Sequence, residues 1–295
     1  LAPTNTTNRL TVTDTSITSI QYNSQGYTGT IPTEFGLLTD VTTLELYQNS
    51  LSGTVPTQLG NMFKLKGEFN LGEQASQDAL TGTLPTQLGN LTELTDYFGV
   101  GTNSLKGSVP TQLGNLVALT GYFALGENAL YSATPTQLGM LTALTAHVLL
   151  QSNSLSSTVP TQLGNLEKLK HTLGFQENEL SGPLPTQLGN LTSMTSFFSF
   201  GSNELTSTLP TELGYLTGMN GTAFWVGDNR LTGTLPTEFG EWTALRSFFW
   251  AEENDLSGSV PTELGRWSAF QSGVKLYNNS FCDEVTHGRR VGARD

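Results

Sequence analysis

The chain has 295 residues, of which only 13% are charged, and its acidic side chains outnumber the basic ones 25 to 13. A net charge of -12 argues against a nucleic-acid partner, because neutralising phosphates takes clustered Lys and Arg. No apolar run is long enough to span a bilayer, and a single cysteine, Cys282, excludes an intramolecular disulfide.

Three stretches follow in chain order: an N-terminal segment (1–16), a repeat region (17–281) and a tail (282–295), together read as one domain. No signal peptide is visible at Leu1. Asn-x-Ser/Thr sequons stand at Asn5, Asn90, Asn190, Asn220 and Asn278, and in so Thr-rich a chain they carry little weight.

Self-similarity is the dominant signal of the repeat region. A Pro-Thr-(Gln/Glu)-(Leu/Phe)-Gly unit recurs with its proline at 32, 56, 85, 110, 135, 160, 185, 210, 236 and 261, at steps of 24, 29, 25, 25, 25, 25, 25, 26 and 25 residues. Seven residues before nearly every proline stands a second file: Gln25, Asn49, Asn103, Asn128, Asn153, Asn178, Asn203, Asn229 and Asn254, continued by Asn279. Apolar pairs such as Phe98 and Val100, or Phe198 and Phe200, precede that file by five and three residues, the alternation of a short strand with one buried face. Successive repeats are therefore expected to stack their strands in parallel. Where each strand ends, an Asn amide supplies donors and an acceptor to backbone groups that have lost their ladder partners. A metal or sugar ligand set is the alternative for that file.

The unit Leu44-Glu45-Leu46-Tyr47-Gln48-Asn49-Ser50-Leu51-Ser52-Gly53-Thr54-Val55-Pro56 resembles the plant-type leucine-rich repeat, and the match runs over essentially the whole chain. The resemblance implies an α/β-type repeat fold: a right-handed leucine-rich-repeat solenoid of about eleven rungs, with a parallel β-sheet on its concave side and little true helix. It also implies recognition, inhibition, adhesion or ice binding. This chain departs from the pattern in three ways. Most repeats carry an extra residue just before the strand, as in Leu94-Thr95-Asp96-Tyr97-Phe98. An insertion at 73–79 leaves Gln74 or Asp78 to replace the ladder Asn, and the paired-cysteine caps of secreted plant proteins are absent.

Enzymatic constellations are poor. His147, His171 and His287 show no metal-ligand spacing, and Cys282 lies in no nucleophile motif. The carboxylates Glu73, Glu127, Glu177, Asp228 and Glu253 precede the ladder position, as a solvated rim or a weak cation site. No catalytic residue, cofactor or metal is assigned.

Two surfaces remain. The concave sheet offers an outward file (Tyr97, Tyr122, His147, Thr172, Phe197, Ala223, Phe248) and a second one (Gly99, Ala124, Leu149, Gly174, Ser199, Trp225, Trp250), small or aromatic and almost uncharged. Tyr97, Tyr122, His147, Phe197, Trp225, Phe248 and Trp250 are the expected contacts to a protein or glycan partner, since large apolar strips mark contact sites. Alternatively the extra residue makes a bulge that turns some of these rings into the core. The other surface is the file after each proline: Thr33, Thr57, Thr86, Thr111, Thr136, Thr161, Thr186, Thr211, Thr237 and Thr262, backed by mostly Thr or Ser two residues before each proline, with Ala133 and Pro183 as breaks. Such an array is similar to ice-binding solenoids; simple duplication of one repeat explains it equally. The function expected is non-catalytic recognition or adhesion outside the cell or at its surface. The alternatives are ice binding through the Thr files and a self-assembling scaffold.

Overall fold

The computed structural model describes residues 9–13, 16–74, 79–220 and 223–282. Asp78, Asn5, His287 and nearly all of the 282–295 tail lie outside the described residues. A twelve-stranded sheet runs the length of the molecule. Eleven of its strands are parallel, one per rung, among them Tyr97–Gly99, Tyr122–Ala124, His147–Leu149, Thr172–Gly174 and Phe197–Ser199. The twelfth, Arg9–Thr13 in the N-terminal segment, pairs antiparallel with Ser16–Gln21 and covers the first rung's free edge. A sheet edge with unpaired N–H and C=O groups invites pairing with another chain; here a hairpin takes the place of the disulfide cap.

Each rung leaves the sheet, crosses a second ribbon of short strands such as Thr81–Gly82 and Ser154–Thr158, and returns through a five-residue 3₁₀ helix. The ten 3₁₀ helices among the described residues begin at the Thr after the proline and run through the Leu-Gly pair, as Thr86–Asn90 and Thr161–Asn165 do. Their pitch explains the sequence spacing. Leu88 N–H donates to Pro85 O, Leu91 N–H to Leu88 O and Leu94 N–H to Leu91 O. At three residues per turn, every third side chain eclipses the last, so Leu88, Leu91 and Leu94 all point into the core and are fully buried. Phenylalanines stack along the axis beside them: Phe69, Phe98 and Phe123 at centroid separations of 5.4 and 5.6 Å, and Phe198, Phe224 and Phe249 at 5.2 and 5.5 Å.

The asparagine file is a hydrogen-bond ladder. Asn153 Nδ2 donates to the carbonyls of Leu125, Leu150 and Gln151, and its Oδ1 accepts from Leu130 N–H at 3.0 Å. One amide thus ties its own turn to the preceding rung. Only Asn49 and Asn254 of the Asn file are wholly buried; the others keep part of the side chain exposed. Gln74 fills the irregular rung: its Nε2 donates to Leu46, Leu71 and Gly72 carbonyls, and its Oε1 accepts from Leu51 N–H at 3.0 Å. The longer side chain reaches the same groups.

Rung-to-rung contact also fixes residues outside the core. Two residues before the proline, a threonine Cγ2 packs on a left-handed glycine of the next rung: Thr30 on Gly53, Thr54 on Gly82, Thr83 on Gly107, Thr158 on Gly182, Thr208 on Gly233 and Thr234 on Gly258. A Cβ there would lie 2.7–2.9 Å from that methyl. Where the earlier residue is Ser108, Ala133 or Pro183, the next rung carries Ser132, Ser157 or Ser207 instead, at φ 74°, 72° and 69°. The breaks in the threonine file are therefore paired with breaks in the glycine file. Gly182→Ala is expected to destabilise, and Thr158→Ala to recover part of that loss, with a coupling of roughly 0.5–1.5 kcal/mol in a double-mutant cycle of denaturation midpoints. Additive effects would show that the methyl and the glycine do not meet.

Candidate functional site on the concave sheet

The strip from Tyr97 to Trp250 lies in register along the sheet. Tyr97, Tyr122, His147, Thr172 and Phe197 pair in one column, and Ser199, Trp225, Trp250 and Lys275 in the next. Tyr122, Phe197 and Phe248 are 38%, 40% and 37% exposed; Tyr97, His147, Trp225 and Trp250 are half-buried. None of the seven enters the core. The extra residue does not shift the register of the parallel strands; at Phe248, with φ 57°, the pairing with the next strand is interrupted, Phe248 and Gly273 both dropping out of it. The small members of both files behave differently. Gly99, Ala124, Gly174, Ser199 and Ala223 are buried, and over Gly99 leans the Tyr97 ring.

Two aromatic groups result. Tyr97, Tyr122, His147 and His171 stack at 5.2, 4.3 and 5.2 Å, and His147 Nδ1 lies 2.9 Å from Thr172 Oγ1. Burial, then the neighbouring His171, holds His147 below the usual imidazole range, so the column is favoured with a neutral His147. Further along, Trp225 meets Trp250 edge-on at 5.9 Å, Phe248 meets Trp250 at 5.0 Å, and Lys275 Nζ sits 3.9 Å over the Trp250 ring.

The uncharged strip is bordered by charge, which counting only its two files leaves out. The rim carboxylates Glu73, Glu127, Glu177, Asp228 and Glu253 are exposed in left-handed turns, at φ 52–57°. Glu73 is held by Gln48 Nε2 at 2.6 Å, Glu127 by Thr102 Oγ1 at 3.1 Å and Glu177 by Ser152 Oγ at 2.7 Å. These donors are neutral, so they orient the carboxylates and leave their charge uncompensated. Burial, then Glu45 and Asp96, pushes the Glu68 carboxyl up; burial, then Glu73 and Glu68, pushes the Tyr97 phenol up to about 12. A raised carboxyl favours the folded state below its unfolded value and loses that advantage as pH rises through the folded one. Glu68→Gln is therefore expected to raise the melting midpoint at pH 7 and leave it unchanged at pH 4. An equal shift at both pH values would exclude the like-charge and burial account.

A column of glycines underlies this border. Gly72 and Gly101 form the open floor of a trough of about 190 Å³, walled by Asn70, Glu73, Tyr97, Thr102 and Glu127 and bounded by Gly126 and Gln151. Elsewhere the column is roofed: Gln151 lies over Gly126, the Trp225 ring over Gly201, and the Glu252 carboxyl over Gly227. Six of the seven buried side-chain polar atoms that lack a hydrogen-bond partner among the described residues belong to this face: Gln151 Oε1, Gln176 Oε1, Ser199 Oγ, Trp225 Nε1, Trp250 Nε1 and Glu252 Oε2. Sequence reasoning weighed His171 only as a metal ligand or acid-base group and passed over the glycine column and Glu252; the one available signal was the recurrence of Gly two residues after the second file.

All ten threonines after the prolines are exposed, as the first residue of each 3₁₀ helix. Each hydroxyl donates to the next side chain, Gln or Glu, at 3.2–3.4 Å. The file is regular, but long polar side chains stand beside every member. Among the described residues, no group of three or more His, Cys, Asp or Glu could hold a metal ion, and no helix is long and apolar enough to cross a membrane.

No protein-family model and no curated protein sequence matches the chain. Among solved structures it is similar to the plant peptide hormone receptor RGFR1 in complex with RGF2, with 28% identity, 90% of this chain and 44% of that chain covered, and a TM-score of 0.76. It is similar to the Arabidopsis receptor kinase HAESA, solved with the peptide hormone IDA and the co-receptor SERK1, at 28% identity, 90% and 42% coverage and a TM-score of 0.76. The chain thus spans less than half the length of these receptor chains. A plant ice-binding protein shares the fold alone, at 23% identity, 81% and 72% coverage and a TM-score of 0.64.

Proposed function

We propose that this chain, a plant-type leucine-rich-repeat solenoid, is a non-catalytic recognition module that takes an extended segment of a protein partner along its concave sheet, outside the cell or at its surface. The carrying observation is the pair of part-exposed aromatic groups between Tyr97 and Trp250, presented in register on a parallel sheet. Aromatic anchors supply large contact area for little lost side-chain freedom, and partners bury them at the centre of interfaces. The receptors it resembles were solved with peptide ligands.

The test is selection from a displayed library of twelve-residue peptides on the full chain. Enriched peptides are expected to lose at least tenfold in affinity on Phe197→Ala with Phe248→Ala, and less than twofold on Thr136→Lys with Thr161→Lys. No enrichment, or loss only on the threonine variant, would sink this reading. In the latter case ice shaping by the wild type would be the measurement to make.

A further inference from the structure

We propose that the glycine-floored trough at Gly72 and Gly101 is a subsite for a basic side chain, arginine above all, of an extended partner segment. The inference rests on the concave face being the binding surface and adds to it the charge of what binds. Shape comes first. Two open glycines in successive rungs, Gly72 and Gly101, leave a short furrow one rung spacing long, roughly 5 Å, while Gly126, Gly201 and Gly227 further along are overhung by Gln151, Trp225 and Glu252. The trough, about 190 Å³, admits the end of an unbranched side chain.

Charge complementarity selects the occupant. Glu73 and Glu127 line the trough, and its Tyr97 wall feels both Glu73 and Glu68, the latter itself beside Glu45 and Asp96. The four ion pairs among the described residues are Lys64–Asp40, Lys66–Glu93, Arg230–Glu204 and Arg266–Glu241, and none involves these five carboxylates. A cation entering the trough therefore meets acceptors already oriented by Gln48 and Thr102 and displaces no internal partner. The Gln151 side chain, lying over Gly126, closes the far end without adding a charge. The Tyr97 ring walls the trough, and an aromatic ring is a favourable neighbour for a cation. Arginine suits the arrangement better than lysine, since its planar fork can address two carboxylates at once.

The probe is a fluorescein-labelled decapeptide of alternating Arg and Gly, followed by anisotropy on the full chain at about 0.15 M salt. Because a chain of net charge -12 attracts any cation, the control is a second double variant with the same charge change on the opposite side. Glu73→Gln with Glu127→Gln is expected to weaken binding at least tenfold. Glu212→Gln with Glu263→Gln should weaken it less than twofold, and a Lys-Gly decapeptide should bind several-fold more weakly than the Arg-Gly one. Equal losses for the two double variants, or no binding at all, would overturn the subsite. If library-selected peptides depend on Phe197 and Phe248 but are neither basic nor sensitive to Glu73 and Glu127, the subsite fails while the concave reading stands. If no selected peptide depends on the concave face, the reading beneath it fails first.

Discussion

Gly164→Ala is expected to cost more than about 3 kcal/mol, or to prevent folding, whereas Gly265→Ala, at the same position of the last unit, should change stability by less than about 0.5 kcal/mol. The two glycines share sequence context, Thr-Gln-Leu-Gly and Thr-Glu-Leu-Gly. They differ in what lies beyond. A Cβ on Gly164 would come closer than 3.0 Å to the backbone carbonyl of Gln187 in the next rung, and the backbone cannot yield without opening the stack. A Cβ on Gly265 meets nothing within 4 Å, because no described rung follows it. Eight further glycines of the file, from Gly36 to Gly240, stand as Gly164 does. Urea midpoints for the two variants decide the matter, and equal losses would show that the glycine serves the local turn rather than the approach of rungs.

Asn153→Ala is expected to cost on the order of 2–3 kcal/mol, and the neighbouring Ser152→Ala less than about 0.5 kcal/mol. The amide satisfies one N–H and three carbonyls, and each buried group left unpaired costs about 1–3 kcal/mol. Part of the side chain is exposed, so water replaces some of what is lost. Ser152 sits at φ 52° and donates to Glu177 Oε2 at the surface; alanine keeps the strain and forfeits one solvated bond. Asn153→Gln should recover part of the loss, as Gln74 does in its own rung. Similar melting shifts for the alanine variants would remove the ladder's claim to hold the rungs together.

The repeat, the strands, the ladder and the direction of each core side chain were legible because they recur every rung, and recurrence turns a weak local pattern into a strong one. The Asn file and the Leu-x-x-Leu-x-x-Leu spacing are cases of a single residue type answering one fixed backbone demand. The site was legible only in part. Tyr97, Tyr122 and Phe197 follow from strand alternation, but the leaning of Trp225 over Gly201 and of Glu252 over Gly227 joins different rungs and follows no period along the chain. The uniform threonines after the prolines and the uniform glycines after the leucines look alike in sequence. In the structure the glycines answer a steric demand that the exposed threonines do not.

The pairing of Thr158 with Gly182, and of Ala133 with Ser157, gives each rung two edges of definite kind. Rungs are then not interchangeable bricks but dominoes, in which a threonine edge may be laid only against a glycine edge, while a smaller edge accepts either. Loss of residues 134–158 would bring Ala133 against Gly182, a permitted join, whereas loss of 159–183 would force Thr158 against Ser207. Growth and shrinkage of such an array by whole units is thus confined to a subset of junctions, and the order of its rungs carries a record of which joins were allowed.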